Sequence, residues 1–123
     1  MMLISGAKDQ GWEGKPASWR MEAFKYMPPG NKYHVMVEGA NHFSFDLQPK
    51  IAKNIDLKTK RQNAVREKQL SEFDQNSRIK IYLKSVSIAF WDAYLKQKSS
   101  GKEYLMSDTI KIDSNGEVEL YSK

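Results

Sequence analysis

Two short β-type runs with one helix between them, all inside the first forty residues, constrain this chain more than any other feature. Met2-Leu3-Ile4 is an apolar run that closes on Ser5-Gly6, the pattern of a buried strand. The stretch from Asp9 to Lys15 carries Gly11 and Gly14 and reads as a loop. Pro16 suits a first helical turn. Ala17, Met21, Phe24 and Met27 then recur at helical spacing until Pro28-Pro29-Gly30 stops them. Tyr33 to Glu38 is β-rich and ends at Gly39. Two strands joined by a helix in about 30 residues form a parallel βαβ unit with a right-handed crossover. Parallel strands are normally covered on both faces and belong to a larger α/β sheet. The chemistry of such sheets gathers outside the carboxyl ends of the strands.

The remainder is less regular. Phe45 to Gln75 is polar and poorly periodic, and reads as a long connection with one or two surface helices. From Ser77 an apolar stripe sets in: Ile79, Tyr82, Leu83, Val86, Ala89, Phe90, Ala93 and Tyr94 recur at i, i+3, i+4, i+7. This is a long C-terminal helix, which Ser99-Ser100-Gly101 is expected to end. Ile110 and Ile112, then Asn115-Gly116, then Val118 and Leu120 predict a short terminal hairpin.

Composition narrows the function classes. The chain has 123 residues, a formal net charge of +5 and no cysteine, which excludes disulfides, thiol nucleophiles and Cys-ligated metals. Only His34 and His42 are present, too few for a His-rich metal site, and no cofactor motif stands out. No apolar run approaches the ~18 residues of a membrane span. The opening Met-Met-Leu-Ile-Ser-Gly lacks the basic flank and the apolar length of a signal peptide. Positive charge concentrates between Lys50 and Lys84, where Lys58, Lys60, Arg61, Arg66 and Lys68 mix with Glu67, Glu72 and Asp74. Mixed signs at this density mark a solvated surface. A nucleic-acid site needs aromatic residues among the cations, and Phe73 is the only one between Asp46 and Lys80.

Two residues carry candidate chemistry. Asp9 follows the first strand, and His42 follows the second within Gly39-Ala40-Asn41-His42-Phe43-Ser44-Phe45. Neighbouring strands lie about 5 Å apart, so the two side chains can meet at the carboxyl edge. A carboxylate beside an imidazole fixes its tautomer and stabilises the imidazolium, leaving the second ring nitrogen free as a general base. His34 sits mid-strand, facing a helix or solvent. Trp12 and Trp19 follow the acid loop, where they pack or line a pocket; Trp91 is expected to pack against the sheet.

These segments resemble a known family. Met2-Leu3-Ile4-Ser5-Gly6-Ala7-Lys8-Asp9 resembles the late strand and acid loop of α/β-hydrolases, and Gly39 to Phe45 resembles their catalytic-histidine loop. Ala89-Phe90-Trp91-Asp92-Ala93-Tyr94-Leu95-Lys96, with Tyr104-Leu105-Met106-Ser107-Asp108 after it, is similar to the final helix and tail of esterase and dienelactone-hydrolase-like members. The segment Asp46 to Ser77 is longer and more charged than the family pattern. The resemblance implies an α/β fold: a partial α/β-hydrolase fold comprising the last parallel βαβ unit, a long C-terminal helix and a short hairpin. It implies one partial domain over 1–123, with 46–77 a charged insert. By the same resemblance Asp9 is the triad acid and His42 the general base.

The family's nucleophile lies upstream of its acid on a Gly-x-Ser-x-Gly elbow, together with oxyanion donors. No such motif occurs here: Ser5 and Ser18 lack the flanking glycines, and Ser44 is too close to His42 in sequence. Three readings follow. In the first, the chain is the C-terminal part of a serine hydrolase of carboxylic esters, inactive alone, with a small-molecule ester as substrate and the missing N-terminal part of the same domain as partner. In the second it is a non-catalytic interaction module derived from a hydrolase tail. In the third and weakest it binds an acidic polymer such as nucleic acid. The unpaired apolar edge Met2-Leu3-Ile4 invites mispairing in the first reading.

Overall fold

The computed structural model describes residues 1–45 and 60–123, and among these the side chains at 12, 60–66, 68–70 and 72–73 lie outside the description. The elements run β1 (Met2–Gly6), α1 (Arg20–Tyr26), β2 (Tyr33–Val37), α2 (Lys60–Tyr94), α3 (Ser99–Met106), α4 (Thr109–Asp113) and β3 (Val118–Ser122). Short 3₁₀ turns occupy Trp12–Gly14, Ala17–Trp19 and His42–Phe45. The strands form one sheet in the order β1-β2-β3. β1 and β2 are parallel, with Met2 opposite Tyr33 and Gly6 opposite Val37. β3 runs antiparallel to β2, with Val118 opposite Val37 and Ser122 opposite Tyr33. The chain is thus an α/β mix built on a small mixed sheet, and the expected strand–helix–strand unit is present.

β2 is the central strand, and its side chains alternate between faces. Tyr33, Val35 and Val37 point to one face, where Val35 and Val37 join Ile79 and Val86 of α2, Ile110 of α4 and Val118 of β3 in a buried apolar cluster. Tyr33 joins Ala89 of α2 and Leu105 of α3 beside it. His34 lies on the other face, against Phe24 of α1 and Tyr121 of β3.

Four expectations are corrected. The helix expected from Ser77 begins at Lys60 and runs for 35 residues, about 52 Å at 1.5 Å per residue. Its first turns are rich in Lys, Arg, Gln and Glu, good helix formers that carry no apolar stripe, so periodicity passes over them. Residues 46–59 of the expected connection and insert lie outside the described residues.

Ser99-Ser100-Gly101 does not end the long helix but opens α3. The break comes earlier, where Gln97 takes a left-handed φ of 53° and the Lys98 N–H donates back to the Asp92 carbonyl at 2.9 Å. Gly101 serves the crossing of α2 and α3: a Cβ there would lie 2.6 Å from the Ala89 carbonyl oxygen and 2.7 Å from the Ala93 nitrogen.

The terminal hairpin is absent. Thr109–Asp113 is helical, and β3 pairs with β2 instead. Asn115 and Gly116, with φ of 51° and 82°, cap α4: the Gly116 N–H donates to the Lys111 carbonyl at 2.8 Å and the Asn115 N–H to Ile112 at 3.0 Å. This is the Schellman pairing of a helix C-terminus. Trp91 also departs from expectation. It lies two positions from both Ala89 and Ala93, about 200° round the helix from each, and is 53% exposed, with its ring edge against Phe90.

Candidate functional site

The parallel pairing brings the carboxyl ends of β1 and β2 side by side, and backbone bonds join the loops that follow. The Ala7 N–H donates to Val37 and the Lys8 N–H to Ala40, both at 2.9 Å. Gly6 allows this approach, since a Cβ on it would lie 2.2 Å from the Ala40 carbonyl oxygen. The Asp9 N–H closes a tight turn onto the Gly6 carbonyl at 3.0 Å. Asp9 therefore leaves the strand end at a fixed angle, with its carboxylate buried.

His42 is positioned by a cap. Asn41 Oδ1 accepts from the N–H groups of Phe43 at 2.9 Å and Ser44 at 3.2 Å. Ser44 Oγ in return accepts from the Asn41 N–H at 3.1 Å. This reciprocal capping box fixes the turn on which His42 is the first residue. The signal was present as Asn41-x-x-Ser44. Ser44, weighed above as a hydroxyl near a histidine, is engaged in the cap.

Asp9 Oδ1 and His42 Nδ1 lie 3.7 Å apart. The two residues singled out from the sequence thus share one edge, at a separation longer than a hydrogen bond. The His42 ring is 74% exposed, with Phe43 edge-on at 5.7 Å. The close partner of Asp9 is Arg20, at the start of α1. Arg20 Nε lies 3.0 Å from Oδ2, Nη2 donates to Oδ1 at 3.1 Å, and Nε also approaches the Asp9 carbonyl at 3.3 Å. This side-on, two-oxygen grip holds the buried Asp9 side chain in one orientation. Nothing in the sequence marks Arg20, because the pairing depends on how α1 folds back over the loop.

The remaining serines and histidine go elsewhere. Ser18 is exposed on the turn before α1. Ser5 Oγ lies 2.6 Å from His34 Nε2 and 3.6 Å from Met36 Sδ. His34 is fully buried, and its Nδ1 has no hydrogen-bond partner among the described residues. The arrangement that leaves the least unsatisfied is Nε2–H donating to Ser5 Oγ and the Ser5 hydroxyl donating to Met36. Nδ1 then keeps a bare lone pair rather than an orphaned N–H. Burial pushes the His34 imidazolium down from its ordinary value.

Beside β1 lies an open cleft of about 450 Å³, lined among others by Leu3, Ser5, Trp19, Arg20, Ala23 and Tyr26. The Lys15 ammonium covers the Trp19 ring at 4.5 Å; the Trp12 side chain lies outside the description. A second polar cluster ties α2 to the start of β3. Arg78 donates to both Glu117 oxygens at 3.2 and 3.3 Å, Tyr82 donates to Glu117 at 2.9 Å, and Arg78 also pairs with Asp74. Arg78 above all holds the Glu117 carboxyl below its usual range. Among the described residues, no group of three or more His, Asp or Glu is placed to hold a metal ion, and no helix is long and apolar enough to cross a membrane. No family model, no curated protein and no solved structure matches the chain.

Proposed function

We propose that this chain supplies the acid and the histidine of a serine hydrolase acting on carboxylic esters, within a partial α/β-hydrolase fold. The observation that carries the reading is the 3.7 Å approach of Asp9 Oδ1 to His42 Nδ1 at the carboxyl edge of a parallel strand pair. A carboxylate there favours the tautomer with the proton on Nδ1, leaving Nε2 to take a proton from a serine hydroxyl and return it to the leaving alcohol. Asp9 orients; His42 transfers. Ser5 and Ser44 are committed to His34 and Asn41, so the nucleophile and the oxyanion donors come from outside these residues. The chain by itself is then expected to be inactive. Among the described residues, His42 stands exposed and just beyond hydrogen-bonding distance of Asp9.

Two measurements test this. The 123-residue chain should hydrolyse a simple aryl ester no faster than free imidazole. Hydrolysis well above that level, lost in His42→Ala, would show a complete site and overturn the reading. Nitrogen NMR of His42 should show more of the Nδ1–H tautomer than free imidazole does, falling in Asp9→Asn; an unchanged tautomer ratio would remove Asp9 as the acid.

A second reading is favoured by one observation. Arg20 takes both Asp9 oxygens, which suits an anchor between α1 and β1 in a non-catalytic interaction module. The tautomer measurement separates the two, because a purely structural Asp9 leaves His42 unaffected.

A further inference from the structure

Among the described residues, the outer edge of β1 is an unfilled row of backbone groups. In a parallel pair, alternate residues bond to the same neighbour. The Tyr33 N–H donates to Met1 and the Ala7 N–H to Val37, both at 2.9 Å, so positions 1, 3, 5 and 7 turn toward β2. The N–H and C=O groups of Met2 and Ile4 therefore point away from the sheet. Neither residue takes a turn or loop partner among the described residues. Sheet edges are usually blunted by a lysine, a proline, a bulge or a covering element. Residues 1–7, Met-Met-Leu-Ile-Ser-Gly-Ala, contain no lysine and no proline. The cleft beside this edge is walled by Leu3, Trp19, Ala23 and Tyr26, and its lip carries one cation and one anion, Arg20 and Glu22.

We propose that two copies of this chain pair antiparallel through their β1 edges, joining two three-stranded sheets into one across a two-fold axis. Met2 exchanges hydrogen bonds with Ile4 of the partner subunit, and Ile4 with the partner's Met2. Leu3 then faces the partner's Leu3 at the close, non-hydrogen-bonded position, and both side chains enter the clefts. Charge favours a second copy here: the strand Met2–Gly6 brings no charged side chain to the axis, so two copies meet there without repulsion. The other exposed apolar ridge, Ile81, Ile88 and Trp91 on α2, has Lys80 and Lys84 beside it, so two copies meeting there bring lysines together. The pairing does not rest on the acyl-transfer reading.

Sedimentation velocity and light scattering of the intact chain should show a concentration-dependent species of twice 14.2 kDa. The Ile4 amide should gain protection from hydrogen exchange as the dimer forms. Leu3→Lys and Leu3→Glu each place like charges at the axis and should weaken self-association at least about tenfold. Mixed in equal amounts, the two variants should recover a dimer, which also shows that each still folds. Ile88→Lys should leave the dimer intact. A wild-type monomer at all concentrations, a dimer that survives both Leu3 variants, a mixture that stays monomeric, or a dimer lost in Ile88→Lys would each overturn the proposal. None of these outcomes bears on the His42 tautomer, so failure here and failure of the acyl-transfer reading are distinguishable.

Discussion

On the α2 side of the sheet, Val35, Val37 and Val118 meet Ile79, Val86 and Ile110, and every member is buried and apolar. On the α1 side, the sheet presents Ser5 of β1, His34 of β2 and Tyr121 of β3 to a single helix of seven residues. One face is closed by dispersion and exclusion of water; the other by a hydrogen bond, stacked rings and a buried imidazole beside an open cleft. The pleat of β2 puts these two chemistries on successive residues: Val35 faces one way and His34 the other. A cavity in the apolar face costs stability directly, whereas the buried imidazole makes the other face sensitive to protonation. Both candidate site residues lie at the carboxyl edge, where the two faces end.

Substitutions measure that difference. Ile79→Ala on the apolar face should cost about 2–5 kcal/mol, since the lost contacts and the cavity add. Urea unfolding followed by circular dichroism reads it. The contrast with the α1 side collapses if Leu3→Ala, in the wall of the open cleft, costs as much. Gly6→Ala, at the meeting of the two loops, should cost about 1–3 kcal/mol by overpacking against the Ala40 carbonyl. It should also part Asp9 from His42, read as loss of the Asp9-dependent tautomer signal. Arg20→Gln leaves the buried Asp9 carboxylate without its cation and should cost about 1–3 kcal/mol. An unchanged unfolding midpoint would mean that water replaces Arg20 without loss. Asn41→Ala removes the cap that fixes His42 and should cost about 0.5–2 kcal/mol.

The smallest effect expected is the dependence on acid, which separates the faces by pH. Burial lowers the His34 pKa below 6.5, so the unfolded chain binds a proton there that the folded chain does not. Stability tied to His34 is fully present above that value and declines as pH falls below it. Glu117, with its pKa lowered below 4.5 by Arg78, adds stability that is lost only on further acidification. Unfolding midpoints across this range should fall in two stages, and His34→Phe should remove the first stage alone. A first stage that survives His34→Phe would assign it to another group.

The strand–helix–strand unit was legible because each part is local: a β-rich run, a helical apolar spacing, and prolines and glycines between them. The shared edge of Asp9 and His42 was legible for the same reason, since each lies in the loop after a strand and the strands are parallel. The C-terminal region was misread where two structures share one signal. Asn115-Gly116 provides positive φ for a hairpin turn and for a helix cap alike. Ile110 at 2% and Ile112 at 72% exposure show which it is: a strand keeps i and i+2 on one face, whereas a helix separates them by about 200°. The first turns of α2 escaped notice because helix propensity without an apolar face leaves no periodic mark.

The sequence by itself determined the strand–helix–strand order before Phe45, the apolar stripe of the long helix, the absence of thiol chemistry and the placement of Asp9 and His42 after the two strand ends. Only the tertiary structure decided that Arg20 holds Asp9, that His34 is buried beside Ser5, that β3 joins β2, and that β1 is an edge strand among the described residues. The physical reason is range. Backbone preference and side-chain period are set within a few residues. The state of a carboxylate or an imidazole is set by the charges and the water around it, and those are brought there by segments far along the chain.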